Sequence, residues 1–318
     1  NKSVPMNIVF LDSSSLPSPL DRPAAALSWN DRPATSADEV VASLAGAQVV
    51  ITNKVKMTRA ALEQLPELRF ICVAATGYDC IDLAACRDMG ITVSNVPAYS
   101  AVSVAEHVIG SIFALRRHLP GYRQAASGQW PCSSHFCVHD EPILDVEGAT
   151  LGIFGRGDIG SRVARLASAL GMKVLFAEHR GASTVRSGYH AFDSVLAQAD
   201  VLTLHCPLTP QTRHLIGTKE IARIKPGAIL INTARGPLVD ESAVVQGLQS
   251  GRLGGAALDV LEVEPPPANH PLLHADHPNL LVTPHVAWAS ASSVQRLKSV
   301  ILKNIAAYAQ GKPINVVS

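Results

Sequence analysis

Three side chains in the second half of the chain combine a permanent cation, a carboxylate and an imidazole. Arg235, Glu264 and His285 each lie just beyond a short apolar run that predicts a β-strand. A histidine titrates near neutral pH and can donate a proton, and a neighbouring carboxylate can orient its ring and favour the protonated form. An arginine can hold a substrate carboxylate with its planar fork. Beside a hydride donor, these are the groups needed to reduce a 2-keto acid.

Each of the three residues also has a simpler interpretation. An arginine before Gly-Pro can cap a loop, an acid before three prolines can be solvated, and a histidine after Thr-Pro can bond backbone carbonyls. The shared position of the three residues after predicted strands favours catalysis, because parallel sheets bind ligands at the carboxyl ends of their strands.

A glycine-rich turn ahead of the trio predicts the hydride donor. Gly155-Arg156-Gly157-Asp158-Ile159-Gly160 follows an apolar run and precedes a helical pattern, which is the context of a dinucleotide-binding turn. Gly155 permits the tight turn, Gly157 lets the backbone approach the pyrophosphate, and Gly160 allows close packing of helix on strand. The helix N-terminus then faces the phosphates.

An acidic residue beyond the next apolar run indicates which dinucleotide is used. Glu178 stands roughly twenty residues after the turn, where a carboxylate accepts hydrogen bonds from the ribose hydroxyls. This favours NAD, because the same charge would repel a 2′-phosphate. Arg180 is able to hold such a phosphate, so NADP remains open.

Apolar runs alternate with helical patterns along the whole chain. The first series lies at 6–11, 49–52, 68–74 and 91–94, whereas the polar, proline-bearing stretch 13–33 is expected to be surface loop. The second series lies at 151–154, 173–177, 201–204, 228–232, 255–259 and 280–283. Such alternation indicates α/β domains with parallel sheets, the second of them a doubly wound dinucleotide domain.

Two longer helical patterns are expected to connect these domains. The first, 103–117, has Ser103 as a candidate cap with Glu106 three residues later. The second, 293–310, is expected to return to the first domain and make it discontinuous in sequence. The stretch 127–147 is without periodicity, and a loop of this length is often functional or interfacial.

Composition excludes several classes of function. With 47% hydrophobic residues, 17% charged residues and a net charge of +1, the chain predicts buried cores and gives no electrostatic case for nucleic acid or an anionic membrane. No apolar run is long enough to span a bilayer. Six cysteines without a metal-type or C-x-x-C spacing indicate reduced thiols, no metal site and a cytoplasmic protein.

The ordered motifs resemble the D-isomer-specific 2-hydroxyacid dehydrogenases over essentially the whole chain. The motifs that carry the resemblance lie at 152–160, 205–209, 232–236, 259–265 and 283–285. The resemblance implies an α/β fold of two doubly wound domains with the active site in the cleft between them. A flavodoxin-like substrate domain would comprise 1–101 and 287–318, and a Rossmann-type NAD-binding domain 102–286.

The resemblance also implies roles for individual residues. Arg235, Glu264 and His285 match the family's catalytic trio, and Arg235 would bind the substrate together with Lys54, Thr76 and Gly77. The cofactor contacts would come from the glycine turn and from later strand ends, at Val104, Gly155, Arg156, Gly157, Asp158, Ile159, Gly160, Glu178, Cys206, Pro207, Thr212, Ala234 and Asp259.

Within that family the chain is most similar to glycerate dehydrogenases and hydroxypyruvate reductases, through stretches such as 52–54, 75–77 and 95–100. The expected reaction is NAD(H)-dependent interconversion of a D-2-hydroxy acid and its 2-keto acid, by a homodimer formed through 103–130. Glu264 argues against formate, because the formate dehydrogenases carry glutamine there. Phosphite, a bulkier 2-keto acid or an idle NAD-sensing, corepressor-like protein are the alternatives.

Overall fold

The computed structural model describes residues 4–275 and 277–318, which belong to two compact units. The first unit comprises 1–100 and 289–318, and the second comprises 101–288. In chain order the helices are α1 (Val40–Ser43), α2 (Arg59–Leu62), α3 (Leu83–Asp88), α4 (Ala101–Arg116), α5 (Leu119–Gly128), α6 (Asp158–Ala169), α7 (Phe192–Gln198), α8 (Thr218–Ile221), α9 (Glu241–Gln249), α10 (Pro271–His274) and α11 (Ala291–Ala309).

The described part of the first unit is built on a five-stranded parallel sheet. Its strands are β1 (Met6–Phe10), β2 (Ala26–Asp31), β3 (Val49–Thr52), β4 (Phe70–Val73) and β5 (Thr92–Ser94), in the spatial order β2-β1-β3-β4-β5. This is the flavodoxin-like order, in which the chain reverses direction across the sheet beside β1. The central strands β3 and β4 are buried throughout, as strands covered on both faces must be.

Strand β2 corrects the expectation that 13–33 is surface loop. Ala26–Asp31 pairs in parallel with β1 at one edge of the sheet, and its residues are exposed or half-buried. An edge strand with little buried surface needs no apolar run, so its sequence carries no strand signal. The backbone hydrogen bonds of β1, not hydrophobic periodicity, specify this strand.

Helix α11 packs on the sheet of the first unit although it begins almost two hundred residues after β5 in sequence. The ring of Tyr308 stacks on that of Phe70 in β4, with 4.3 Å between their centroids. Buried Asn304 donates from Nδ2 to the carbonyl of Asn95, beyond β5, at 2.9 Å. An aromatic stack and a satisfied buried amide together fix the helix against the sheet.

The second unit is built on six parallel strands within its described residues, as predicted. They are β6 (Thr150–Phe154), β7 (Lys173–Phe176), β8 (Val201–Leu204), β9 (Ala228–Asn232), β10 (Leu253–Leu258) and β11 (Leu280–Val282), in the order β11-β10-β9-β8-β6-β7. The chain leaves β6 towards β7 on one side and later returns to β8 on the other. The glycine turn after β6 therefore lies at the reversal of strand order, where such sheets bind ligands.

Helix α4 begins at Ala101, so the expectation that Ser103 caps its start is wrong. Ser103 lies inside the first turn, is 7% exposed, and donates from its hydroxyl to the carbonyl of Ala287 at 2.6 Å. A serine can satisfy a distant carbonyl as well as a helix terminus, and its side chain alone does not distinguish the two uses. Helix α5, with Pro120 near its start, was also not predicted.

Candidate active site

The glycine turn after β6 has the shape of a phosphate cradle. Gly155 adopts φ +108°, and a Cβ there would come within 2.6 Å of the carbonyl of His205. A Cβ on Gly160 would collide with the carbonyl oxygen of Gly155. Gly157 precedes α6 and would have no atom within 4 Å of its Cβ, so the space before the helix N-terminus is open. These residues fit the pyrophosphate of a dinucleotide.

The remaining residues of the turn lie at the start of α6 and beside the end of β7. Asp158 and Ile159 begin α6. The guanidinium of Arg156 lies over the ring of Phe176, 4.5 Å from its centroid, and its Nη1 is 3.5 Å from the carbonyl oxygen of Gly188. Arg156 is therefore fixed by an aromatic face next to the end of β7.

Glu178, the predicted ribose-binding acid, lies just beyond β7 and is 3% exposed. Its carboxylate accepts two hydrogen bonds from the Arg186 side chain, both at 2.7 Å. The Arg186 guanidinium is the main reason that the pKa of Glu178 is lowered to about 2. An arginine that no sequence motif indicated therefore covers this carboxylate.

The loop after β8 contains three further residues of the predicted cofactor set. Thr212 donates from its hydroxyl to the carbonyl of Pro207 at 2.7 Å and accepts from the amide of Thr209 at 2.7 Å, so it closes this loop. Burial raises the pKa of Cys206 to about 11, which leaves a neutral thiol at pH 7. Val104 is buried in α4, at 5% exposure.

The Glu264–His285 pair joins the loops that follow β10 and β11. Nδ1 of His285 lies 2.6 Å from Oε2 of Glu264, and Oε1 of Glu264 accepts from the amide of Leu261 at 2.9 Å. Because an ionised carboxylate only accepts, Nδ1 carries the proton of this bond. Both side chains are about one-third exposed, at 29% and 35%, so the imidazole is accessible while one of its nitrogens is fixed.

The backbone of His285 is left-handed, at φ 54°, a conformation that costs a non-glycine residue about 1–3 kcal/mol. Surrounding hydrogen bonds hold it there. Its amide donates to the carbonyl of Asp259 at 2.8 Å, and its carbonyl accepts from Nε1 of Trp288 at 2.8 Å. These hydrogen bonds hold the strained backbone of His285 and so set the position from which its imidazole extends.

The carboxylate of Asp259 holds this loop through three hydrogen bonds. It accepts from the hydroxyl of Thr283 at 2.6 Å and from the amides of Val286 and Ala287, both at 2.9 Å. The residue is 2% exposed. Asp259 was predicted as a cofactor contact, and these bonds give it a further use in positioning His285.

Arg235 lies in the loop after β9, which a second polar residue shapes. Asn232 is fully buried, donates from Nδ2 to the carbonyl of Arg235 at 2.8 Å, and accepts from the amide of Ala234 at 3.1 Å. A Cβ on the following residue, Gly236, would collide with the backbone at Leu261. Glycine thus allows the loop of Arg235 to contact the loop that leads to Glu264. Asn232 ends an otherwise apolar strand, and that contrast is the signal that could have identified it.

In the first unit, Lys54 follows β3 and is positioned by an acid that sequence reasoning missed. Asp12, just beyond β1, accepts from the amide of Lys54 at 2.8 Å and from that of Asn53 at 2.9 Å. Burial raises the pKa of Asp12, and the backbone hydrogen bonds from Asn53 and Lys54 oppose that rise. The side chain of Lys54 is exposed.

Thr76 and Gly77 form the loop after β4 in the same unit. The hydroxyl of Thr76 donates to the carbonyl of Val96 at 2.8 Å, and the carbonyl of Thr76 accepts from Nδ2 of Asn95 at 2.7 Å. Asn95 is the second residue that sequence reasoning missed here. Because the loop backbone is braced by neighbouring residues, its conformation is fixed before any ligand binds.

The structure thus brings Arg235, Glu264 and His285, the predicted catalytic trio, to adjacent strand ends in the second unit, after β9, β10 and β11. Among residues 4–275 and 277–318, no cluster of three His, Cys, Asp or Glu side chains has the arrangement of a metal site. Over the same residues, no helix has the length and apolar character required to span a membrane.

Comparison with known proteins identifies the family. Residues 109–287 match the family model described as D-isomer specific 2-hydroxyacid dehydrogenase, NAD binding domain. The chain is 45% identical to a glycerate dehydrogenase of Methylorubrum extorquens, covering 98% of each chain. The chain belongs to the D-isomer-specific 2-hydroxyacid dehydrogenase family.

Two further relatives are a protein named for its activity and a protein of solved structure. The chain is 36% identical to a hydroxypyruvate reductase of Blautia hydrogenotrophica over 89% of both chains. A D-lactate dehydrogenase of Aquifex aeolicus, solved with NAD and lactic acid, superposes with a TM-score of 0.81 at 30% identity and covers 98% of this chain and 100% of its own. The predictions of an α/β fold with two doubly wound domains, of an oxidoreductase and of a nicotinamide cofactor are confirmed.

Proposed function

We propose that this chain reduces small 2-keto acids, hydroxypyruvate or glyoxylate, with NAD(P)H, and oxidises the corresponding D-2-hydroxy acid in reverse. The observation that carries the proposal is the 2.6 Å contact between His285 Nδ1 and Glu264 Oε2. It lies at the carboxyl edge of a parallel sheet whose glycine turn fits a dinucleotide. The names of the relatives support the substrate class, and the site residues support the chemistry.

His285 is the proton donor in this proposal. The nicotinamide, when bound, supplies the hydride to the keto carbon, and negative charge develops on the carbonyl oxygen. Glu264 accepts the hydrogen bond from Nδ1, which leaves Nε2 to give its proton to that oxygen. The left-handed turn and Asp259 keep the imidazole in one place, so that no reorganisation is needed during the reaction.

Arg235 holds the substrate carboxylate and polarises the adjacent carbonyl. Its guanidinium stays charged at every working pH and offers two parallel N–H donors to a carboxylate. Asn232 and Gly236 support this role, because they define the loop from which the side chain extends. Lys54, Thr76 and Gly77 are proposed as further substrate contacts, and Asp12 and Asn95 as the residues that position them.

The two units are proposed to divide the work. Residues 1–101 and 287–318 would form the substrate domain, and 102–286 the NAD-binding domain. A homodimer through 103–130 is proposed from the family resemblance. Trp130, at 53% exposure, supports that surface, since a large exposed apolar side chain often marks an interface. Light scattering of the purified chain tests the dimer. The cytoplasmic location stays a prediction.

The proposed function is tested by following NAD(P)H absorbance with hydroxypyruvate, glyoxylate, pyruvate and phenylpyruvate. Fast turnover with hydroxypyruvate or glyoxylate is expected. A preference for phenylpyruvate would contradict the small-substrate class while preserving the mechanism. Binding of nucleotide without turnover of any of the four would contradict the proposed substrates and favour the NAD-sensing alternative.

A further inference from the structure

The carboxylate of Glu178 has no remaining capacity to accept hydrogen bonds. Oε1 accepts from the amide of His179 at 2.9 Å and from Nη2 of Arg186 at 2.7 Å, and Oε2 accepts from the amide of Arg186 at 3.1 Å and its Nε at 2.7 Å. A carboxylate offers about four lone-pair sites, and four donors already occupy them. Ribose hydroxyls would therefore have to displace Arg186 in order to bind Glu178.

Arg186 differs from its partner in exposure. Its side chain is 54% exposed, whereas that of Glu178 is 3% exposed. The guanidinium lies over the ring of Tyr189, 4.1 Å from the centroid. A stacked guanidinium keeps its edge directed and loses little rotamer freedom when it binds an anion.

Arg156, from the glycine turn, shares the same aromatic face. Its guanidinium is 5.5 Å from the centroid of the Tyr189 ring and 4.5 Å from that of Phe176. One carboxylate and two guanidiniums therefore surround the end of β7, which leaves a net positive charge. The repulsion that Glu178 would exert on a phosphate is cancelled by Arg186.

Arg180, the cation that the sequence suggested for this purpose, is engaged elsewhere. Its Nη2 donates to the carbonyl of Gln211 at 3.1 Å, and its Nη1 lies 3.3 Å from the carbonyl of His214 and 3.5 Å from Oε1 of Glu220. These contacts fasten the loop after β8. The positive charge beside Glu178 is that of Arg186.

We propose that Arg186 sets the cofactor preference by covering Glu178 and presenting its guanidinium to the 2′-phosphate of NADP(H). The pair makes NADP(H) a better ligand than NAD(H), although Glu178 occupies the position at which an acid normally selects NAD(H). Glu178 uses Nε and one N–H of Nη2, so the guanidinium edge formed by Nη1 and the second N–H of Nη2 is the one that can bind a phosphate. Arg156 adds a second cation. This inference rests on the proposed function only in taking the nicotinamide dinucleotide as the cofactor.

The test measures binding without substrate, so that it is independent of turnover. The full chain is titrated with 2′,5′-ADP and with 5′-AMP by calorimetry, and with NADPH and NADH by nucleotide fluorescence. The expected result for the unchanged protein is tighter binding of the 2′-phosphorylated member of each pair. Arg186→Gln should weaken 2′,5′-ADP and NADPH about tenfold or more, since bonds to charged groups are lost, and should leave 5′-AMP and NADH unchanged or tighter.

Arg223→Gln is the matched control. Arg223 is 55% exposed and pairs with Asp193 at 2.7 Å, so this variant removes the same charge and a similar ion pair away from Glu178. It should leave both binding ratios within twofold. If Arg186→Gln also leaves them within twofold, or if Arg180→Gln changes them more than Arg186→Gln does, the proposal is overturned.

Two further variants guard against a loss of loop structure in Arg186→Gln. Arg186→Lys keeps the charge without the fork and should retain part of the preference for the 2′-phosphate. Glu178→Gln removes the negative charge that Arg186 covers and should strengthen NADPH relative to NADH. A Glu178→Gln variant that weakened NADPH more than NADH would overturn the proposal. Absence of turnover with both hydroxypyruvate and glyoxylate would contradict the proposed function, and the binding ratios would still test the role of Arg186.

Discussion

Glu264 lies 2.6 Å from His285, and Glu178 lies 2.7 Å from Arg186, both in the second unit. The first pair is about one-third exposed and touches through one nitrogen of an imidazole ring. The second joins a covered carboxylate to a permanent cation through two parallel bonds. The two contacts therefore have similar lengths, but one involves an imidazole and the other a permanently charged guanidinium.

The difference shows what each pair can do. A singly bonded imidazole can gain and lose a proton while its ring stays in place, as a proton donor must. A bidentate arginine cannot exchange its proton, so its pair acts only through charge and shape. The first is suited to chemistry and the second to recognition.

The largest expected effect comes from removing the exchangeable proton. His285→Gln should lower kcat by about 10²–10⁴-fold, because general acid catalysis contributes that much. Fluorescence titration should show NADH affinity within twofold of the unchanged protein. His139→Gln, an exposed histidine, is the control and should retain full turnover. Unchanged kcat in His285→Gln would remove His285 from the reaction.

Replacing the carboxylate clamp is expected to have the next largest effect. Arg235→Lys keeps the charge but loses the fork, and it should lower kcat/KM for hydroxypyruvate by about 10–100-fold, the value of one or two charge-assisted hydrogen bonds. Arg223→Lys should have no effect. A normal kcat/KM in Arg235→Lys would mean that Arg235 does not hold the substrate.

A smaller effect is expected from the acid of the first pair. Glu264→Gln keeps a hydrogen-bond acceptor for Nδ1 but removes the negative charge beside the imidazole, which attracts positive charge on the ring. The pH at which the reduction rate has fallen by half should therefore move downward, with a loss of about tenfold or less at neutral pH. A profile of kcat/KM against pH that superposes on that of the unchanged protein would exclude Glu264 from the proton relay.

The second pair should show its effect in acid unfolding, and this effect is the smallest. The pKa of Glu178 is lowered to about 2, so its ionised form stabilises the folded state above its ordinary value of about 4.5, and this contribution is lost as pH falls towards 2. Thermal unfolding of Glu178→Gln should thus change less between pH 5 and pH 3 than that of the unchanged protein. Glu67→Gln, at an exposed position, should not differ from it. An equal change in the Glu178 variant would contradict the stabilising role of the pair.

Much of the fold could be predicted from the sequence because its central strands are buried on both faces. Strands such as β9 are continuous apolar runs, and their order along the chain implies parallel pairing. β2 was missed because an edge strand receives its partner from β1 and needs no apolar pattern. The start of α4 was missed because the Ser103 hydroxyl bonds Ala287, far along the chain.

The sequence by itself determined the family, the order of the motifs and the three residues at the ends of β9, β10 and β11, because covalent order and hydrophobic burial dictate which residues reach a sheet edge. Only the tertiary structure decided which charges pair there. That Arg186, not Arg180, covers Glu178, and that Asp259 fastens the loop of His285, follows from loop conformations. Those conformations depend on hydrogen bonds between segments distant in sequence, which local pattern does not encode.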